Sequence, residues 1–363
     1  GASFQHLPAV RSLTLAYTLA GADCIDVAAD PAVIVAAQAG LQAAEILGAA
    51  ARKRGFAYQG RPLLMVSLND GQDPHFRKAE FDSTQCPPEC SRPCERICPA
   101  QAISFHSIKD NFSGVLSDKC YGCGRCLPVC PYDRIESVSY ATSIGAVAPL
   151  ILKSGVDAVE IHTTVGRLTE FTELWQTILP YIGHLKLVAI SCTDGEGMID
   201  YLHSLYDAIA PLDCANIWQT DGRSMSGDIG SGTTLAAIKV GSKVLRAKIP
   251  GYVQLAGGTN SYTVPKLKSM GLLKELAKQR SGNIEENNVI SGTLSGSDSD
   301  SSIAGVAYGS YARKLLSPVL DKLEEKEVNN SSVKVTARLE EELILLWQAV
   351  SLADSLVTQL KSY

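Results

Sequence analysis

Short apolar runs alternate along the chain with longer segments whose apolar positions recur at helical spacing, and this alternation predicts the architecture. A helix over residues 7–20 ends at Gly21 and leads into a buried strand over 23–29. An Ala-rich helix over 31–52 and a second buried strand over 62–68 follow, closed by the polar turn Asn69-Asp70-Gly71. Beyond residue 140 the alternation resumes with a helix over 141–154 and strands over 155–162, 185–192, 214–220, 252–256 and 303–308, each preceded by a helical segment. Short strands apolar on both faces and separated by helices predict a parallel sheet covered by helices.

One strand entry is repeated. Gly21-Ala22-Asp23-Cys24-Ile25-Asp26-Val27-Ala28 is echoed by Gly155-Val156-Asp157-Ala158-Val159-Glu160-Ile161-His162. With an insertion of roughly 65 residues set aside, the two lie about two β/α units apart at ~35 residues per unit. The pattern predicts an α/β fold of the TIM-like (β/α)8 barrel type, with an inserted two-cluster ferredoxin-like domain and a first strand that would precede Gly1. An open doubly wound sheet is the other architecture it allows. The chain starts without an initiator Met and without a visible targeting peptide, which leads to the same expectation of a missing N-terminal segment. The divisions expected are residues 1–74 for the first part of the barrel, 75–140 for the insertion, 141–328 for the second part and 329–363 for a C-terminal helix. Residues 282–301, rich in Gly, Ser, Asn and Asp, read as a disordered loop. Helices over 310–327 and 334–361 would close the barrel, the second through Leu343, Leu346, Trp347 and Val350.

With 363 residues, 45% hydrophobic and 20% charged, the chain can bury a large core. A formal charge of −5 argues against a nucleic-acid footprint. No unbroken run approaches the ~18 apolar residues of a membrane span. The expected partners are therefore neither nucleic acid nor bilayer.

The chemistry concentrates in one stretch, where eight of the eleven cysteines lie between residues 86 and 130. Cys120-x2-Cys123-x2-Cys126-x3-Cys130-Pro131 is the run in which three thiolates hold one [4Fe–4S] cluster and the fourth reaches a second. The preceding half, Cys86-x3-Cys90-x3-Cys94-x3-Cys98-Pro99, has looser spacing. The crossing rule groups Cys86, Cys90, Cys94 and Cys130 on one cluster and Cys120, Cys123, Cys126 and Cys98 on the other. A disulfide framework belongs to small domains in oxidising compartments. Zinc sites would use paired Cys-x2-Cys knuckles and give no reason for a proline after each fourth cysteine. Thiolate clusters point to a reducing interior such as a cytoplasm, plastid stroma or mitochondrial matrix.

Ligands of parallel barrels sit at the C-terminal ends of the strands. There Gly257, Gly258 and Thr259 after one strand, with Gly309 and Ser310 after the next, suit a phosphate cradle for FMN or another phosphate-bearing ligand; a plain tight turn and helix entry are the simpler reading. The glycine-rich segment 221–234, with Arg223, suits a ligand-facing loop or a solvated one. Asp26, Glu160 and His162 are candidate ligand-facing groups, the two carboxylates occupying equivalent places in the repeat. Asp30, Asn69, Asp70 and Cys192 also fall at or near strand ends. Cys24, Cys192 and Cys214 read as small buried apolar side chains.

Residues 19–31, the eight-cysteine block, residues 222–234, Gly251 to Asn260 and Gly305 to Arg313 together resemble the LdpA family, light-dependent period proteins of cyanobacteria with plastid relatives. The resemblance implies an iron–sulfur redox protein that adjusts circadian period to light. The Ser/Asp-rich insertion points to a plastid member, in the chloroplast stroma, with a cyanobacterial cytoplasm as the alternative. Three functions follow as expectations. One is a redox sensor or electron relay meeting soluble electron carriers or redox-signalling partners. Another is a flavin-type barrel oxidoreductase fed by the clusters. The third is a docking subunit of a larger complex.

Overall fold

The computed structural model describes residues 7–71, 77–98, 101–105, 113–117, 119–120, 126–127, 129–139, 152–222, 233–273, 302–329 and 337–361. The first part of the chain forms α1 (Leu7–Leu19), β1 (Cys24–Ala28), α2 (Pro31–Lys53) and β2 (Leu63–Asn69). The cysteine-rich segment contributes β3 (Arg77–Glu80), α3 (Pro93–Ile97), β4 (Ile103–Ser104), β5 (Gly114–Val115) and β6 (Glu136–Ser139). There follow β7 (Ala158–Thr163), α4 (Leu168–Ile178), β8 (Leu187–Thr193), α5 (Met198–Ile209), β9 (Ala215–Asp221), α6 (Thr233–Ala247), β10 (Tyr252–Ala256), α7 (Thr263–Ser269), β11 (Gly305–Val306), α8 (Ser310–Asn329) and α9 (Leu343–Lys361).

The main sheet has seven parallel strands in the order β1-β2-β7-β8-β9-β10-β11. With the cysteine-rich segment set aside, each strand pairs with the next along the chain. That sequential order curls the sheet into a half-barrel, and it removes the doubly wound alternative, in which the order reverses at a switch point. An eighth strand and closure between β1 and β11 are not seen among the described residues. Residues 141–151 of the helix expected over 141–154, the loop expected over 282–301 and residues 334–336 of the helix expected over 334–361 lie outside the described residues. The C-terminal helix starts at Leu343, later than expected, because Leu339–Glu341 forms a separate turn of 3-10 helix.

Alternation along the strands separates two faces. Val27, Leu64, Val66, Val159, Ile161, Val188, Ile190 and Leu255 point outwards and are fully buried beneath the helices. They pack against Ile34 and Leu41 of α2, Phe171 and Trp175 of α4, Leu202 and Leu205 of α5 and Val240 and Val244 of α6. Burial at about 25 cal/mol per Å² makes this layer the main source of stability. α2 starts where Asp30 accepts the amides of Ala32 and Val33, with Pro31 in the first turn, and it ends at Gly55, whose φ is +88°. A second core, with Leu15 and Leu19 of α1, Leu316 and Val319 of α8 and Leu346 and Val350 of α9, binds the C-terminal helices to the N-terminal one. Arg11 pairs both guanidinium nitrogens with Glu340 across that contact.

Among the described residues, two helices combine a length and mean hydropathy typical of membrane spans, α2 at 1.5 and α9 at 1.4, although neither is an unbroken apolar run. In this fold both bury apolar faces in protein, α2 against the sheet and α9 in the second core.

Candidate functional site

The cysteine-rich segment has its own small core. Ala79, Cys94, Ala102, Ile103, Phe105, Cys120, Cys126 and Ile135 are buried together, with Cys86, Cys98 and Cys130 packed against them. Two antiparallel ribbons frame it, β3 with β6 and β4 with β5. No disulfide joins any of the described cysteines. Burial raises the Cys86 thiol pKa, and nearby Cys90 and Cys130 push the same way while Arg92 and Arg134 oppose them. Burial also raises Cys94, again with Cys130, Cys86 and Cys90 adding to the rise. Cys86 and Cys94 thus each feel the charge of Cys90 and Cys130.

Among the described residues, no three His, Cys, Asp or Glu side chains converge tightly enough to hold a single metal ion. Cysteine sulfurs in a mostly apolar setting are the donor set that iron–sulfur clusters use. Backbone amides are aimed at three of the sulfurs: Ala79 N–H donates to Cys120 Sγ at 3.4 Å, Ala102 to Cys98 Sγ at 3.2 Å and Arg134 to Cys130 Sγ at 3.4 Å. Such donors favour the thiolate, and they tune the potential of a cluster bound there. Cys123 lies outside the described residues, so the second group is seen only through Cys98, Cys120 and Cys126.

The other concentration of polar groups lies on the inner face of the sheet. Its lower layer is apolar, formed by Met65, Ala158, Leu187 and Ala189. Above it, Ser67 Oγ stands 2.7 Å from Asp26 Oδ1 and 2.8 Å from Glu160 Oε2. Gln219 Nε2 donates to Glu160 Oε1, and Ser191 Oγ donates to Asp221 Oδ2 at 2.6 Å. His162 Nε2 approaches Glu160 Oε2 at 3.3 Å, with the imidazole 23% exposed and the carboxylate 1%. Five neighbouring strands supply this layer because all its members share the inward parity set by the register, Ser67 beside Glu160 and His162 beside Ser191 beside Gln219.

The charges in this layer shape one another. Burial disfavours an ionised Glu160, but the imidazolium of His162 outweighs it and holds the carboxyl well below the usual range. Burial likewise opposes a charged His162, and Glu160 reverses that, pushing the imidazole up to about 9. Burial pushes Asp26 up to about 6, and the neighbouring Glu160 carboxylate adds to the rise. Asp221 is also pushed up to about 6 by burial, against the pull of His162.

Family comparisons resolve what the cysteine block is. Residues 86–141 match the model of the LdpA Fe-S cluster-binding domain. Residues 150–359 match the Light dependent period A C-terminal domain. A protein of the cyanobacterium Synechococcus elongatus named Light dependent period A is 45% identical over 361 residues, covering 99% of this chain and 89% of that protein. The chain belongs to the LdpA family. No solved structure matches it.

The boundary between the two LdpA family domains falls between residues 141 and 150, outside the described residues. Within this LdpA chain the sequence candidates separate into two groups. Asp26, Glu160 and His162 do meet on the inner face. Asp30 caps α2, Asn69 Oδ1 accepts the Gly71 amide within its turn, and Asp70 pairs with Arg167 at 2.8 Å, so these three serve local structure. Cys192 is buried as expected, whereas Cys24 and Cys214 are half-buried. Arg223 lies outside the described residues.

At the cradle, Gly257 and Gly258 have φ of +55° and +98°, and a Cβ on Gly258 would stand 2.9 Å from Thr233 Cβ. Thr259 donates its hydroxyl to Ala307 O at 2.6 Å and ties the β10 and β11 ends together. Ser310 Oγ accepts from Arg313 at 3.2 Å at the start of α8, and Gly309 has open space around its Cα. The residues that sequence reading missed are Ser67, Ser191 and Gln219. Their signal is a polar side chain at every second position of a buried strand, the inward parity.

Proposed function

We propose that this chain is an iron–sulfur redox protein that holds two [4Fe–4S] clusters and couples a redox state linked to light to a regulatory output. The observation that carries the reading is the set Cys86, Cys90, Cys94 and Cys130, partly buried and without disulfides inside the matched Fe–S domain, with Cys86 and Cys94 each feeling the charge of Cys90 and Cys130. Cys98, Cys120, Cys123 and Cys126 would hold the second cluster, as in a two-cluster ferredoxin. When bound, such clusters store and pass single electrons. The protein's own part is to keep the sulfurs ionised and dry. The amides of Ala79, Ala102 and Arg134 stabilise thiolate charge, while Ile103, Phe105 and Ile135 exclude water.

The finer architecture is part of the same reading: a complete (β/α)8 barrel carrying the cluster segment as an insertion, supported by the sequential strand order. So is a plastid setting, supported by the Ser/Asp-rich stretch, and a soluble electron carrier or signalling protein as partner. The name of the cyanobacterial relative supports an output that sets a period in response to light.

A second reading, a flavin-fed oxidoreductase, is favoured by the left-handed glycines at β10 beside the start of α8. One experiment addresses both. Protein purified without oxygen is followed by absorbance before and after dithionite, with iron, sulfide and flavin measured on the same sample. About eight iron per chain with a reducible spectrum is expected for two cubes. Flavin released in proportion would move the reading to the oxidoreductase, and absence of a reducible cluster would overturn both.

A further inference from the structure

Among the described residues, four other than glycine adopt a left-handed backbone: Arg92, Gln101, Asp133 and Lys248, with φ between +49° and +52°. Three of these lie in the cysteine-rich segment. In this conformation Cβ crowds the following carbonyl oxygen, and such residues concentrate where a fixed backbone serves a function.

Two of them occupy the same place in a repeated turn. Cys98 and Cys130 are each followed by proline, and Gln101 and Asp133 each stand three positions after the cysteine. The Gln101 amide closes its turn on Cys98 O at 3.2 Å, and the Asp133 amide closes the other on Cys130 O at 3.3 Å. The left-handed residue then swings the chain back, so that the next amide faces the cysteine side chain. Ala102 thereby donates to Cys98 Sγ at 3.2 Å, and Arg134 to Cys130 Sγ at 3.4 Å. Ala102 is 1% exposed, so water does not compete for its amide. Gln101 and Asp133 are themselves exposed, which leaves the backbone rather than the side chain as what the turn needs from them. Aspartate is enriched in this conformation, so Gln101 is the stronger outlier.

We infer that Gln101 and Asp133 are positioning residues, each setting the reduction potential of one cluster by holding the amide that follows it on a cysteine sulfur. The inference rests on the two-cluster reading, in which Cys98 and Cys130 serve different clusters. Reduction adds negative charge, and an amide dipole aimed at a ligating sulfur stabilises that charge. Loss of the amide therefore lowers the potential of the cluster concerned and leaves the other where it was.

Potentiometry followed by electron paramagnetic resonance, on the full iron-loaded chain prepared without oxygen, tests this. Gln101→Gly and Asp133→Gly keep the left-handed turn without steric cost, whereas Gln101→Val and Asp133→Val, β-branched, do not. Both substitutions remove the native side chain and, at 133, its charge, so the difference between Val and Gly reports the backbone. Relative to Gln101→Gly, Gln101→Val should lower one of the two midpoint potentials. Relative to Asp133→Gly, Asp133→Val should lower the other. Where a Val variant loses iron, Gln101→Ala or Asp133→Ala, less strained, takes its place in the same comparison. Full iron with no difference from the Gly variants overturns the proposal, as does a substitution that moves both clusters together. Wild-type protein with no reducible iron would sink the two-cluster reading itself, and this proposal with it.

Discussion

Glu160 and His162 show how a single ion pair sets a pH response. The imidazole pKa is raised to about 9 from an ordinary 6.5. Its contribution to stability is therefore complete below pH 6.5 and is lost as pH rises through about 9. The gap corresponds to on the order of 3 kcal/mol at about 1.4 kcal/mol per unit. Glu160→Gln should bring the imidazole back to or below its ordinary value in a proton NMR titration, and it should flatten thermal stability between pH 6.5 and 9. A wild-type melting temperature that does not fall across that interval would contradict the assignment. The sequence marked these residues through the repeat at 21 and 155, which placed Asp26 and Glu160 in equivalent strands. It could not mark Ser67 or Gln219, because a polar residue in a buried strand has no partner until the register supplies one.

Helix packing carries the next scale. α2 buries one face along most of its length, and Gly48 is where the Tyr58 ring lies against it: a Cβ there would stand 2.0 Å from Tyr58 Cε1. In an exposed helix, Gly→Ala stabilises by about 1 kcal/mol. At this site overpacking reverses the sign, so Gly48→Ala should destabilise by about 1–3 kcal/mol. Combining it with Tyr58→Leu should restore part of the loss in urea unfolding. A Gly48→Ala protein more stable than wild type would show that the ring yields freely. The elements themselves were largely legible, since the 2.0 and 3.6 periodicities separate buried strands from covering helices. Their ends were less so. β11 is confined to Gly305–Val306, although Ala304 and Ala307 each bond to β10 on either side. α9 starts late, after a separate 3-10 turn in which Glu340 meets Arg11, a contact 329 positions away in sequence.

For the molecule as a whole, the two cores differ in what holds them. The sheet and its helices bury dozens of apolar side chains, whereas the described residues of the cysteine-rich core include eight buried ones, three of them cysteines. A cysteine-rich core of this kind gains folding free energy from bound metal. Removing iron with a chelator should expose residues 77–139 to proteolysis while the sheet keeps its own cooperative unfolding transition. Loss of both together, in one transition at one chelator concentration, would show that the two parts are stabilised jointly. Lys78 of β3 reaches Asp30 at the start of α2 at 3.5 Å, so a modest shift of the sheet transition is the expected extent of coupling.

Sequence by itself determined the α/β class, the cysteine-rich iron–sulfur segment and the family. Local periodicity, ligand spacing and motif all act over a few residues to a few tens of residues, and a chain displays them without folding. Tertiary structure alone decided that Thr259 braces two loops, that Asp30, Asn69 and Asp70 serve local structure, and that Asp26, Ser67, Glu160 and His162 form one chain of contacts. The last of these turns on which side chains the parallel register and the inward parity bring within about 3.3 Å, and strands up to 93 positions apart meet only when the sheet has formed.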